Sequence, residues 1–149
     1  MTTPAALTRP EPPGTAARRF AARIAVLLAR ALAMLPPKRL RWVLTVLSRG
    51  ARPARYAQAK AARDLVMAVS LRCLGPQGCL PRSLATVLLC RFAGRWPTWC
   101  VGVRVTPPFS AHSWVEADRR LVDEPMPGEC LARLITVPPG PDRRCSDAG

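Results

Sequence analysis

Apolar residues in the first half of the chain recur every three to four positions, a spacing that predicts three successive helices. The first spans about Arg18 to Leu35, the second runs from Pro36-Pro37 to Ser48-Arg49-Gly50, and the third covers about 53–71. We expect the apolar stripe of each helix to face the core and its basic residues to face solvent. The stripes consist of Ile24, Leu27, Leu28, Ala31 and Leu35; of Leu40, Val43, Leu44 and Leu47; and of Tyr56, Ala59, Leu65, Val66 and Val69.

A fourth apolar helix is predicted after the turn LGPQG (74–78), and the pattern then changes period. This helix has Pro81 in its first turn and ends at Gly94. Beyond it the residues alternate as in strands, and the last of these segments is expected at a sheet edge. The strand segments are TWCVGVRV (98–105), AHSWVEA (111–117), RLVDE (120–124) and ARLITVPP (132–139). The order predicts an α+β fold in which N-terminal helices precede a further helix packed on a small antiparallel sheet.

A chain of 149 residues has room for one domain with a modest core. The Pro- and Thr-rich residues 1–17 are expected to be a disordered tail, and 140–149 a flexible one. Between them we predict a single domain over 18–139, divided into a helical subregion (18–73) and a core that carries the chemistry (74–139).

The formal net charge is +14, and all basic residues except Lys38 and Lys60 are arginines. Such a charge invites a nucleic-acid partner. Aromatic residues are few, however, the arginines are dispersed, and no nucleic-acid-binding motif is present, so we expect no nucleic acid as partner. An acidic peptide is the next candidate. A non-catalytic, arginine-rich module that binds a peptide or nucleic acid is an alternative function.

The six cysteines include no CxxC pair, and the chain has one histidine, so we expect no metal site and no cofactor. Arg23 and Arg30 interrupt the apolar stretch near the N-terminus, and no small-residue cleavage site follows it. We therefore expect neither a signal peptide nor stable membrane insertion. The chain is expected to be cytoplasmic with reduced thiols.

The residues best suited to catalysis are Cys79 and His112. Cys79 follows a Gly-rich turn at the predicted start of the fourth helix, where the helix dipole and a neighbouring imidazole would both stabilise a thiolate. Backbone N–H groups at the same helix start could hold an oxyanion. Cys90 and Cys100 fall within apolar periodicity and are expected to be core residues.

The register of the predicted hairpin decides which acid lies beside His112. If Asp118 and Arg119 form a two-residue loop, Trp114 opposes Asp123, and Asp123 lies diagonally beside His112. If the loop has three residues and a bulge, His112 faces Glu124 directly. The strand pattern leaves both acids open.

At these residues the chain resembles the transglutaminase-like cysteine proteases of lasso-peptide biosynthesis, the leader peptidases that mature the precursor. The resemblance covers about residues 18–139, and its most specific parts are GCLPRSLATVLLCRFAG, WPTWCVGVR and FSAHSWVEADRRLVDEP. It implies a papain/transglutaminase-like core in which Cys79 is the nucleophile and His112 the general base and acid. The family's third residue usually lies twelve positions after the histidine, which favours Glu124 and leaves Asp123 as the second choice. Relatives generally have glycine where this chain has Arg119.

The resemblance also implies substrate and partners. The enzyme would remove the leader from a ribosomally made precursor peptide. It would act with a leader-recognition-element protein, and a separate lasso cyclase would close the ring. A transglutaminase-like acyltransferase, which passes the acyl group to an amine, would use the same residues and is the alternative enzyme.

Overall fold

The computed structural model describes residues 14–141, and within this range the predicted order of helices before sheet is confirmed. The tails expected over 1–17 and 140–149 lie mostly outside the described residues. The helices are α1 (Ala16–Ala33), α2 (Pro37–Ser48), α3 (Tyr56–Val69) and α4 (Cys79–Phe92). The strands are β1 (Arg52–Pro53), β2 (Arg95–Trp96), β3 (Thr98–Arg104), β4 (Ala111–Ala117), β5 (Arg120–Leu121) and β6 (Leu131–Val137).

The helices begin and end at residues whose local chemistry explains the boundary. The hydroxyl of Thr15 accepts a hydrogen bond from the backbone N–H of Arg18 and caps α1. Pro37 occupies the first position of α2, where an N–H would have no partner inside the helix. Gly94 lies just beyond α4 with a φ of 72°, a left-handed conformation that suits glycine.

Four strands form an antiparallel sheet in the order β5-β4-β3-β6. β6 lies at an edge, as the sequence predicted. Separately, β1 and β2 pair in parallel, a short contact that the sequence did not predict. α4 packs on β4, and α1 and α3 pack against α4, so the sheet and α4 together position the residues of interest.

The buried face of α1 differs from the predicted one. The helix buries Ala22, Ala25, Val26 and Ala29, whereas Leu27 is 58% exposed and Leu28 45% exposed. Small side chains allow the backbones of α1 and α4 to approach closely, and this arrangement leaves the larger apolar residues outside. The predictions for α2 and α3 are confirmed at Leu40, Leu44, Ala59, Leu65 and Val66, which are buried.

Within residues 14–141, none of the helices has the length and apolar character that crossing a membrane requires.

Candidate active site

Cys79 is the first residue of α4, and its side chain is partly buried. The residue before it, Gly78, has no room for a side chain. A Cβ there would lie 2.5 Å from the carbonyl oxygen of Arg72 and 2.9 Å from that of Cys73. Gly75 has no such restriction, because the nearest atom would lie 3.6 Å away. The missing N–H of Pro81 costs the helix no hydrogen bond, because the first intrahelical hydrogen bond of α4 is donated by the next residue, Arg82, to the carbonyl of Gly78. The turn before α4 therefore holds Cys79 at the helix start by close backbone packing.

His112 lies on β4 and contacts Glu124. Its Nε2 is 2.9 Å from Oε2 of the carboxylate, and the side chains are 6% and 3% exposed, respectively. Because a carboxylate can only accept, the ring N–H donates. The indole of Trp114 stacks near the same ring, with centroids 6.0 Å apart. Nδ1 is left as the ring nitrogen available to another partner.

Asp123, the second choice for the acid, makes different contacts. Its Oδ2 accepts a hydrogen bond from Nη1 of Arg63 at 2.9 Å and lies 3.8 Å from Nζ of Lys60. Both partners belong to α3. The structure thus brings Glu124 to His112 and anchors Asp123 to a helix.

The hairpin does not have the register in which a three-residue loop would place Glu124 directly opposite His112. Ala117 pairs with Arg120 and Glu116 with Leu121, so the loop has two residues, and the three-residue bulged loop is wrong. Pairing continues to Val122, whose N–H donates to the carbonyl of Val115. Asp123 then takes a φ of 50°, in the left-handed region. In a regular strand successive side chains point to opposite faces of the sheet, and the left-handed Asp123 breaks this alternation just before Glu124. The side chain of Glu124 therefore reaches the face of the sheet that carries His112, although the loop has no bulge.

The two-residue loop is held by α3. Asp118 and Arg119 have φ values of 51° and 61°, as in the twisted turn that joins two antiparallel strands. Oδ2 of Asp118 accepts a 2.8 Å hydrogen bond from the backbone N–H of Tyr56 at the start of α3. The guanidinium of Arg120 lies 4.2 Å from the Tyr56 ring centroid. These contacts fix both neighbours of Arg119, Asp118 and Arg120, and so hold the turn in which Arg119 takes a left-handed conformation.

The electrostatics favour a charged pair. The side chain of His112 lowers the pKa of the Cys79 thiol; burial opposes this effect, and the backbone N–H groups of Ser113 and Leu80 add to it. Conversely, Cys79 and then Glu124 raise the pKa of His112 to about 9. The lowered pKa of the thiol and the raised pKa of the imidazole both favour the thiolate–imidazolium form of the pair. The site can therefore present a nucleophilic sulfur beside a proton donor.

A buried hydroxyl pair joins the helix of Cys79 to the strand of His112. Oγ of Ser83 on α4 and Oγ of Ser113 on β4 are 2.6 Å apart, and the indole N–H of Trp99 donates to Ser83 at 3.1 Å. Neither serine was predicted from the sequence as a residue of the site. The available signal was a serine four positions after Cys79 on an inward helix face, and another immediately after His112.

Glycine at position 102 was also missed. Gly102 pairs with His112 across β3 and β4, and a Cβ there would overlap the carbonyl oxygen of Ala132 on β6. A glycine inside a strand is the signal for such a close approach.

Cys90 and Cys100 are core residues, as predicted. Both are buried, and burial raises their pKa values to about 12 and about 11, respectively. Their thiols remain protonated at neutral pH, and the direction of their pKa shifts is opposite to that of Cys79.

Comparison with known families gives one match. The family model of the transglutaminase-like superfamily matches residues 22–136, which include Cys79, His112 and Glu124. The chain belongs to the transglutaminase-like superfamily. No curated protein and no solved structure matches the chain. Members of this superfamily are usually cysteine-dependent enzymes, and the helix-plus-antiparallel-sheet architecture seen here agrees with their core. The family thus supports a fold of the cysteine protease or acyltransferase type.

Proposed function

We propose that this protein is a cysteine peptidase that removes the leader from a ribosomally made lasso precursor peptide. The observation that carries the chemical part is the buried His112–Glu124 contact beside a thiol whose pKa is lowered by the same histidine. The choice of a lasso precursor as substrate is supported by the resemblance in GCLPRSLATVLLCRFAG and FSAHSWVEADRRLVDEP.

The proposed reaction has two stages. The Cys79 thiolate attacks the scissile carbonyl, and N–H groups at the start of α4 hold the oxyanion. The His112 imidazolium gives its proton to the departing amine as the C–N bond breaks, leaving a thioester and a neutral imidazole. His112 then takes a proton from water, which attacks the thioester and releases the leader acid and the thiol. Glu124 orients the ring and stabilises its charged form.

Partners follow from the same proposal. A leader-recognition-element protein would present the leader, and the amine freed by cleavage would be used by a lasso cyclase in the same compartment, which we take to be the cytoplasm. The exposed apolar side chains and arginines of α1 are candidates for contact with the recognition partner.

Mass spectrometry of the precursor, incubated with this protein and its recognition partner, tests the proposal. Cleavage at one bond is expected for the parent and for Cys130→Ala, which removes another partly buried cysteine. It is expected to be lost in Cys79→Ala and to fall by about 10²- to 10⁴-fold in His112→Ala. Cleavage that survives Cys79→Ala would overturn the nucleophile assignment. A folded parent that binds the precursor without cutting it would favour the binding-module function.

The acyltransferase alternative shares every step up to the thioester. Adding glycinamide to the same reaction separates the two outcomes, since a transferase would yield the leader with the amine attached. We expect the free leader acid as the main product. Predominant amide product would replace the peptidase proposal by acyl transfer.

A further inference from the structure

A groove lies at the start of α4, between α1 and the turn before α4. Its volume is about 460 Å³, and its lining includes Gly78, the residue before Cys79, and Pro81, two positions after Cys79. Val26 and Pro76 supply apolar lining, and Arg30 and Arg72 supply charge.

The charge of this groove is uncompensated. No acidic residue lines it, and no acid occurs in the chain between Glu11 and Asp64. Of the six acids within 14–141, five contact a partner elsewhere in the fold (Asp64, Glu116, Asp118, Asp123 and Glu124), and the sixth, Glu129, is not part of the groove lining. Neither Arg30 nor Arg72 forms an ion pair with any residue in that range, and both are exposed.

From this placement we infer that the groove is a subsite for a carboxylate side chain of the substrate, recognised by Arg30 and Arg72. The two arginines come from different elements, α1 and the turn at Leu71–Leu74, and both line the same groove. The acidic residue would lie close to the bond that is cut, since Gly78 and Pro81, which line the groove, are within two positions of Cys79. That the ligand is part of a peptide substrate rests on the proposed peptidase function. That the ligand is an anion rests on the structure alone.

Alkylation of Cys79 tests the charge without requiring peptidase activity. The rates of modification by iodoacetate, an anion, and by neutral iodoacetamide are measured at Cys79 by peptide mass spectrometry. The ratio of the first rate to the second is expected to fall about 1.5- to 3-fold in Arg30→Gln and in Arg72→Gln, the size of effect that one exposed charge has on an anion nearby in water. Arg39→Gln, an exposed arginine on α2 outside the groove, removes the same charge and should leave the ratio unchanged.

A peptide series tests the ligand. Precursor peptides carrying Glu or Gln at each position within three residues of the cut are compared by kcat/KM. We expect one position at which Glu is preferred at least about fivefold, with the preference lost in Arg72→Gln and retained in Arg39→Gln. An unchanged alkylation ratio in both groove variants, or no Glu preference at any position, would overturn the subsite. If no peptide is cleaved, the peptidase proposal fails, while the alkylation ratio still decides whether the groove attracts anions.

Discussion

The hydroxyl oxygens of Ser83 and Ser113 lie 2.6 Å apart in the interior and connect the helix that begins at Cys79 to the strand that carries His112. Both residues are at most 3% exposed. Since a hydrogen bond of this length restricts how the two elements can slide, it defines the position of the thiol relative to the imidazole.

Removing the Ser83 hydroxyl should therefore affect both stability and reactivity. Ser83→Ala leaves the buried indole N–H of Trp99 without its acceptor, and we expect the free energy of unfolding to fall by about 2 kcal/mol in a denaturant titration. Ser113→Ala leaves the Trp99 contact in place and should cost less. Both variants should slow iodoacetamide modification of Cys79 at pH 7. An unchanged rate in both would mean that the hydroxyl pair does not position the site.

Replacing Glu124 by glutamine should narrow the pH range of activity. The carboxylate raises the pKa of His112, so its loss lowers that pKa from about 9 and moves the alkaline limb of kcat/KM to lower pH. The maximum rate should fall about tenfold or more.

Asp123→Asn is the matched control for that variant, because asparagine tolerates the left-handed backbone and only the partly exposed ion pairs with Arg63 and Lys60 are lost. Both limbs of the pH profile should remain where they are in the parent. If Asp123→Asn shifts the limbs and Glu124→Gln does not, the roles of the two acids are reversed.

Two glycines before Cys79 should differ sharply in their tolerance of alanine. Gly78→Ala forces a methyl group against the carbonyl oxygens of Arg72 and Cys73, and we expect a loss of at least about 2 kcal/mol together with slower Cys79 alkylation. Gly75→Ala has room for the methyl group and should stay within about 0.5 kcal/mol of the parent. Thermal and denaturant unfolding of the pair measure the difference, and equal stabilities would contradict the close packing described here.

The turn residue Asp118 should contribute to stability through α3. Asp118→Ala removes the cap on the Tyr56 N–H and places alanine in a left-handed conformation, with an expected loss of about 2 kcal/mol. Asp118→Asn keeps an acceptor oxygen and tolerates the same backbone, so it should lie near the parent in the same denaturant titration. A loss as large for asparagine as for alanine would show that the charge, not the cap, matters.

The sequence by itself determined the elements and the residues that could carry chemistry. Helical periodicity, the prolines at 36–37 and the alternation around His112 are local properties, because they reflect backbone preferences and the burial of one face. For the same reason a cysteine directly after a glycine-rich turn could be placed at a helix start before the fold was known. The preference for Glu124 came from a family spacing, and the three-residue bulged loop that would have agreed with it is not the loop that forms.

Only the tertiary structure decided which faces and which registers were used. α1 buries alanines instead of Leu27 and Leu28 because its separation from α4 depends on both helices. Glu124 reaches His112 because Asp118 and Asp123 are each held by α3, which lies about sixty residues earlier in the chain. Such contacts are made between segments whose own sequences are compatible with several arrangements. The free energy that selects one of them arises only when the segments pack together.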